Sequence, residues 1–452
     1  MNDTHELKLR LVKLINPILM TGGFAVVWFM LLRFHVYDPY SMLGNLAVIF
    51  FYLLLYCWFG RTYEAFMVSY SRISELIYSQ MLSAVASNTV MYFVCILLFR
   101  TLPSVVPMFL ILSIQFVISV GWSWPTHVWY FNHYRPKKTV IVWDMRQGME
   151  ELVESYGMSK KFDVIADYSA EDCIKDLSVL DSAEVVFLSG VHSHDRNIII
   201  KHCIRNRIVS FIVPRVGDVL MSGAHRMHLF HLPILRLAAY QPNPEYVIIK
   251  RGFDIVFSLF ALLITAPIQV IVAAAIKLED GGPVLYKQVR LTKNGREFQL
   301  FKYRSMRVDA ENDGVARLSN GENDDRITNV GKVIRRMRLD ELPQFVNILC
   351  GDMSIVGPRP ERPEIAAQYE KELPEFHLRL QAKCGLTGYA QVYGKYNTEP
   401  YDKLQMDLLY IAKPSISEDL SIIFATIKIL FLKDSTEGVE EGQSTALLNA
   451  KK

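Results

Sequence analysis

The chain has 452 residues, 51% of them hydrophobic and 21% charged, with a formal net charge of +3. That length allows two or three domains, and an apolar content this high excludes an ordinary soluble protein. The small net charge, with no basic stripe interleaved with aromatics, excludes a nucleic-acid-binding surface.

Four apolar runs near residues 14–34, 42–59, 81–99 and 103–124 come first, each close to the roughly 20 residues that cross a bilayer as a helix. Lys8, Arg10 and Lys13 precede the first run, Arg61 and Arg72 lie between the second and third, and Arg135, Lys137 and Lys138 follow the fourth. The positive-inside rule therefore places both ends of a four-helix membrane domain, residues 1–135, in the cytoplasm. The first run is too long for a secretory signal and lacks an A-x-A-like processing site, so it reads as a retained anchor. The six cysteines show no metal-ligand spacing and read as reduced, structural residues.

Hydropathy falls after Thr139. Short β-type runs at Thr139–Trp143, Val185–Leu188 and Val209–Val213 alternate with helix-compatible stretches, which predicts an α/β cytoplasmic domain with a mostly parallel sheet over residues 136–243. The first strand leads into Asp144-Met145-Arg146-Gln147-Gly148, with no G-x-G-x-x-G, so a structural or regulatory role is expected rather than a dinucleotide site.

Phe253–Ile276 is a fifth apolar run, flanked by Lys250, Arg251 and Lys277 and interrupted by Pro267. By hydropathy it can span the bilayer or turn back. Cations at both ends and a proline at Ala266-Pro267 suit a re-entrant helix-break-helix, which keeps the following domain on the cytoplasmic face.

The richest stretch runs from Arg335 to Pro363. It sets Asp340 and Glu341 among Arg335, Arg336, Arg338 and Arg359, and ends in Gly357-Pro358-Arg359-Pro360-Glu361. A carboxylate beside guanidinium groups is expected to stay ionised well below neutral pH, ready as nucleophile or metal ligand, while the arginines hold an anionic substrate. The chemistry indicated is phosphate chemistry. Pro358 and Pro360 restrict the backbone around Arg359, reducing the entropy lost when its guanidinium grips a phosphate. Lys302 and Arg304, in Phe301-Lys302-Tyr303-Arg304, fit either phosphate contact or a basic face against anionic membrane lipid.

These blocks, with Gly282-Pro283-Val284, Gln288, Arg290 and Gly385-Leu386-Thr387-Gly388-Tyr389-Ala390-Gln391-Val392, stand in the order of a known family. Residues 247–433 closely resemble the catalytic core of bacterial polyprenyl-phosphate phosphoglycosyl transferases, the monotopic bacterial sugar transferases, in their long form. Cys384, Thr292 and Tyr393 depart from the residues common there.

The resemblance implies a membrane protein with an N-terminal four-helix transmembrane bundle, a Rossmann-like α/β cytoplasmic domain, and a re-entrant membrane helix with a mixed α/β catalytic domain over residues 244–433, before a mobile tail at 434–452. It implies transfer of sugar 1-phosphate from a UDP-sugar to polyprenyl (undecaprenyl) phosphate, with release of UMP, at the bacterial inner membrane. Asp340 is then the nucleophile of a covalent phosphosugar-aspartyl intermediate, with Glu341 helping to bind Mg²⁺ or to orient the nucleophile. Lys302, Arg304, Arg335, Arg338 and Arg359 are the phosphate-binding candidates and Asp407 a second candidate metal ligand; Ala266 and Pro267 mark the helix break. A homo-oligomer, as a dimer, and hand-over to downstream glycosyltransferases are also implied. The competing reading is a catalytically silent membrane scaffold for a glycan-assembly complex.

Overall fold

The computed structural model describes residues 3–144, 146–240, 242–308, 326–394 and 399–430; the expected tail at 434–452 lies outside them. The chain divides into two compact units, Met1–Val213 and Pro214–Lys452.

The first unit begins with α1 (Asp3–Val27, continued by a π turn at Trp28–Leu32), α2 (Met42–Thr62), α3 (Ile73–Phe99) and α4 (Val106–His133). All four are long and apolar enough to cross a membrane. They are also arranged inside out. Gln115 donates to the Met20 carbonyl at 3.1 Å and to the Tyr52 hydroxyl at 2.6 Å, Asn88 donates to Gln115 at 2.8 Å, and Tyr56 donates to Asn16 at 2.9 Å. Phe93, Leu97, Phe109 and Val117 meanwhile face outward. Hydrocarbon tolerates those apolar faces and leaves buried polar groups no partners but each other, so this is the packing of helices in lipid.

The same unit continues with β1 (Lys137–Trp143), α5 (Met149–Ser155), β2 (Phe162–Ser169), α6 (Ala170–Lys175), β3 (Val185–Ser189), α7 (Ser193–Arg205) and β4 (Val209–Val213). The strands form a parallel sheet in the order β2-β1-β3-β4. Val140, Val142, Val186 and Leu188 bury one face with Ile199 and Cys203, while on the other Phe187 and Phe211 stack and Phe162 meets both edge-on. The α/β expectation therefore holds, with β2 added.

The second unit opens with α8 (Val216–Ser222) and a hairpin of β5 (His225–Leu229) and β6 (Leu232–Arg236). Residues 136–243 were expected to form one domain. Instead, Val216 and Val219 are buried in the core of this second unit with Leu404 and Leu408. Next come α9 (Pro244–Asp280), an antiparallel pair β7 (Leu285–Leu291) and β8 (Glu297–Tyr303), α10 (Asn329–Arg336), α11 (Gln344–Cys350) and β9 (Ser354–Val356). The unit is completed by α12 (Pro363–Glu372), β10 (Gly385–Thr387, parallel to β9), α13 (Tyr389–Tyr393), α14 (Pro400–Ala412) and α15 (Ile416–Leu430). The single amphipathic helix expected over 362–380 is two pieces. Pro374 forces Leu373 out of the helical region, and the chain restarts as a 3₁₀ segment at Pro374–Gln381.

α9 corrects a second expectation. It runs as one continuous helix through Ala266 and Pro267. Proline removes one backbone donor. Beside it, Thr265 donates to the Ala261 carbonyl at 2.6 Å and accepts from Gln269 at 2.9 Å, and helical structure persists. One stripe of α9 packs on its own unit from end to end. Tyr246 and Lys250 bond Asp419, and Arg251 donates to the Ile348 and Leu349 carbonyls. Asp254 accepts from Ser354 and from the Ile355 amide, Gln269 accepts from Tyr303, and Val272 and Ile276 are buried with Tyr303 and Ile334. The opposite stripe exposes Val256, Leu259, Phe260, Leu263, Ile264, Val270 and Ile271.

Candidate active site

Asp340 and Glu341 sit on a single 3₁₀ turn, Leu339–Glu341, entered through Arg338 in the left-handed region (φ 56°) and followed by Pro343 and α11. Asn347, in the middle of α11, fixes what faces that turn. Its Oδ1 accepts from the Phe301 amide at 2.9 Å and its Nδ2 donates to the Gln299 carbonyl at 2.8 Å, so β8 is held in register against α11. Lys302, the next residue of β8, then lies 2.9 Å from Glu341 Oε1.

The Pro358-Arg359-Pro360-Glu361 segment leaves the end of β9 and is pinned by its backbone. The Gly385 amide donates to the Pro358 carbonyl at 2.9 Å, Arg379 donates to the Arg359 carbonyl at 3.0 Å, and Arg290 donates to the Pro360 carbonyl at 3.0 Å. The approach of the two chains explains one glycine: a Cβ on Gly385 would lie 2.1 Å from the Gly357 nitrogen. With its backbone held, Arg359 brings Nη2 to 3.5 Å from Glu341 Oε1.

The two carboxyl groups titrate apart. Burial raises the proton affinity of Asp340, and the adjacent Glu341 adds to this; Lys302, Arg335 and Arg338 offset it only in part. Burial opposes ionisation of Glu341 too, but Lys302, Arg359 and Arg338 outweigh it and hold that carboxyl well below the usual range. The expectation of an Asp340 held low by arginines is therefore corrected. Its environment makes Glu341 the firmly ionised member and Asp340 the more basic one, and a more basic carboxylate is the better nucleophile once deprotonated.

Lys302 and Arg359 thus meet at the pair, and Arg335 and Arg338 act on it through their charge. Arg304 does not join them. It is 7% exposed, paired with Asp280 and packed on Gly282 at the end of α9, and it leaves the expected phosphate-binding set. Asp407 leaves the expected metal set. It is 1% exposed and takes both Nε and Nη2 of Arg379, at 2.8 and 2.6 Å. Both contacts fall on Oδ2, in the buried interior, and Arg379 in turn holds the Arg359 carbonyl, so Asp407 acts at a distance on the arginine loop.

Glu341, Lys302 and Arg359 line a cleft together with Arg290, Leu300, Gln344, Pro360 and Leu386. Arg290 is largely buried, and desolvation pushes its proton affinity down to about 10. Gln344, Asn347 and Arg379 escaped sequence reasoning; Asn347 and Arg379 show their partners only after folding. Two of the departures from the family pattern meet each other, Cys384 Sγ lying 3.4 Å from Thr292 Oγ1 in the core.

Residues 245–433 match the family model described as bacterial sugar transferase. The chain is 37% identical over 231 residues to a UDP-N-acetylgalactosamine-undecaprenyl-phosphate N-acetylgalactosaminephosphotransferase of Aeromonas hydrophila, covering 50% of this chain and 53% of that protein. It is 43% identical over 192 residues to the exopolysaccharide production protein PSS of Rhizobium leguminosarum bv. phaseoli, covering 40% of this chain and 94% of that protein. It is 40% identical over 185 residues to the UDP-glucose:undecaprenyl-phosphate glucose-1-phosphate transferase of Escherichia coli K12, covering 40% of this chain and 39% of that protein. The match thus spans about half of the first relative, less of the third, and nearly all of the second. The chain belongs to the bacterial sugar transferase family.

Proposed function

We propose that this protein transfers sugar 1-phosphate from a UDP-sugar to polyprenyl (undecaprenyl) phosphate, releasing UMP, as a first step of surface or exopolysaccharide synthesis. The observation that carries this reading is the buried Asp340–Glu341 pair with Lys302 2.9 Å and Arg359 3.5 Å from Glu341. Direct attack of one phosphate on another brings two anions together; a covalent enzyme intermediate divides the problem into two displacements. Asp340 attacks the sugar-linked phosphorus, the bond to UMP breaks, and the sugar phosphate is held as an acyl phosphate. The lipid phosphate then attacks the same phosphorus and restores the carboxylate. Lys302, Arg335, Arg338 and Arg359 offset the negative charge of both displacements.

Mg²⁺ fits this donor set. The metal prefers one or two carboxylates plus substrate phosphate oxygens, and Glu341 spends only Oε1 on Lys302 and Arg359 among the described residues. Glu341, with Asp340 and the donor phosphates, would hold the ion, which when bound neutralises phosphate charge.

The apolar helices make this a membrane protein; the bacterial inner membrane and a cytoplasmic active site are part of the proposal. α9 contributes to it. A helix in contact with one domain along its whole length does not carry that domain across a bilayer by itself; the apolar stripe from Val256 to Ile271 suits seating α9 in one leaflet with the catalytic unit on the cytoplasmic face. A homodimer and product transfer to downstream glycosyltransferases complete the proposal. The test is UMP release by purified protein in detergent with Mg²⁺, a short polyprenyl phosphate and UDP-glucose, UDP-galactose or UDP-N-acetylgalactosamine. Acceptor-dependent turnover with at least one donor is expected; none with any of a wider set of nucleotide sugars would refute the reading.

A further inference from the structure

We infer that Gln344 is a substrate-contacting residue whose side-chain amide hydrogen-bonds a hydroxyl of the donor's sugar, an assignment that rests on the reaction proposed above. Gln344 is the first residue of α11, four residues after Asp340, and only 4% of it is exposed. It lines the cleft with Arg290, Lys302, Glu341 and Arg359. Among the described residues its amide makes no hydrogen bond. The contrast with Asn347, one turn further on, is direct: that buried amide uses both its donor and its acceptor on β8. The Gln344 amide borders the cleft instead of being sealed in the core, so its donor and its acceptor are both open to a group that arrives with the ligand.

The chemistry of the cleft selects that group. Three cations, Arg290, Lys302 and Arg359, face one acid, Glu341, and they suit phosphate. A phosphate would satisfy Gln344 Nε2 but repel Oε1, because both are then acceptors. A hydroxyl donates and accepts, so it satisfies both ends of the amide. The sugar is bonded to the phosphorus that Asp340 attacks, so a donor in position for attack carries its hydroxyl groups past this turn. Gln344 thus orients the sugar while the cations hold the phosphates.

The experiment pairs protein and ligand changes. UMP release is measured for wild type and Gln344→Met with whichever intact UDP-sugar supports turnover and with its monodeoxy analogues, under sub-saturating donor, and folding is followed by thermal melting. Gln344→Met is expected to lower kcat/KM by about tenfold. One deoxy analogue should cost wild type a similar factor and cost Gln344→Met nothing further, which a merely structural role for Gln344 does not produce. Equal losses for every deoxy analogue in both enzymes, or wild-type kcat/KM in Gln344→Met, would overturn the assignment. If Gln344→Met does not fold, Gln344→Asn, which keeps the amide but withdraws it by one methylene, decides by the same two outcomes. Absence of UMP release by wild type itself would instead overturn the reaction, and this inference with it.

Discussion

Lys302 and Glu341, both lining the cleft, form an ion pair 2.9 Å apart, with both side chains largely withdrawn from solvent. Lys302 is among the chief charges that hold Glu341 ionised, and it also lowers the proton affinity of Asp340. Lys302→Met should therefore raise both carboxyl groups, moving the acid limb of the kcat/KM profile to higher pH. A profile that falls uniformly without shifting would show that Lys302 serves only to bind substrate.

The stability of the pair follows from the same directions. Glu341, depressed on folding, contributes stability above its unfolded pKa that is lost as pH falls through its folded value. Asp340, raised on folding, behaves oppositely: its favourable contribution is present below its unfolded pKa and is lost as pH rises through the folded one. At neutral pH an ionised Asp340 is thus a burden on the fold. Asp340→Asn should abolish turnover yet raise the melting midpoint by about 1–3 °C; a lower midpoint would contradict the assigned direction.

Much of this site was legible because its chemistry is local. Asp340 and Glu341 are adjacent, and Arg359 is braced by two prolines in a short segment. Arg304 misled because it stands beside Lys302 in one basic block, whereas β8 ends at Tyr303 and the next residue pairs with Asp280. Asp407 misled because its partner, Arg379, lies 28 residues away in another element, where no periodicity connects them. Pro267 suggested a break because proline usually ends a helix, but loss of a single donor did not do so here. β2 was missed because its half-exposed strand intersperses acids among apolar residues.

The Asn347 clamp predicts a combined defect. Asn347→Ala leaves the Phe301 amide and the Gln299 carbonyl without their partner, costing about 1–3 kcal/mol of stability. It also loosens the strand that carries Lys302, so kcat should fall well beyond any loss attributable to unfolding. Denaturant titration and kinetics on the same sample separate the two effects; wild-type kcat in the folded fraction would show that β8 needs no such support.

The buried Arg379–Asp407 ion pair separates positioning from metal binding. Arg379→Met strands a fully buried carboxylate and should cost about 3–5 kcal/mol. Asp407→Asn should lower stability and activity while leaving the Mg²⁺ concentration for half-maximal rate unchanged. A severalfold rise in that concentration would return Asp407 to the metal site.

The exposed stripe of α9 predicts the membrane disposition. Reporters at the N-terminus, near Lys175 and at the C-terminus should all be inaccessible from outside intact cells, whereas an accessible C-terminus with a protected Lys175 would mean that α9 spans the bilayer. Leu263→Lys, on the outward stripe, should weaken seating of the catalytic unit with little change in its core.

The central claim is that Asp340 carries the sugar phosphate. The most direct measurement is peptide mass analysis of the protein after brief incubation with the donor it accepts and Mg²⁺, without polyprenyl phosphate, followed by addition of the acceptor. The account predicts a phosphosugar mass increment on the Asp340 peptide that disappears when acceptor is added and never forms in Asp340→Asn. An increment on another residue, or full turnover by Asp340→Asn, would contradict it.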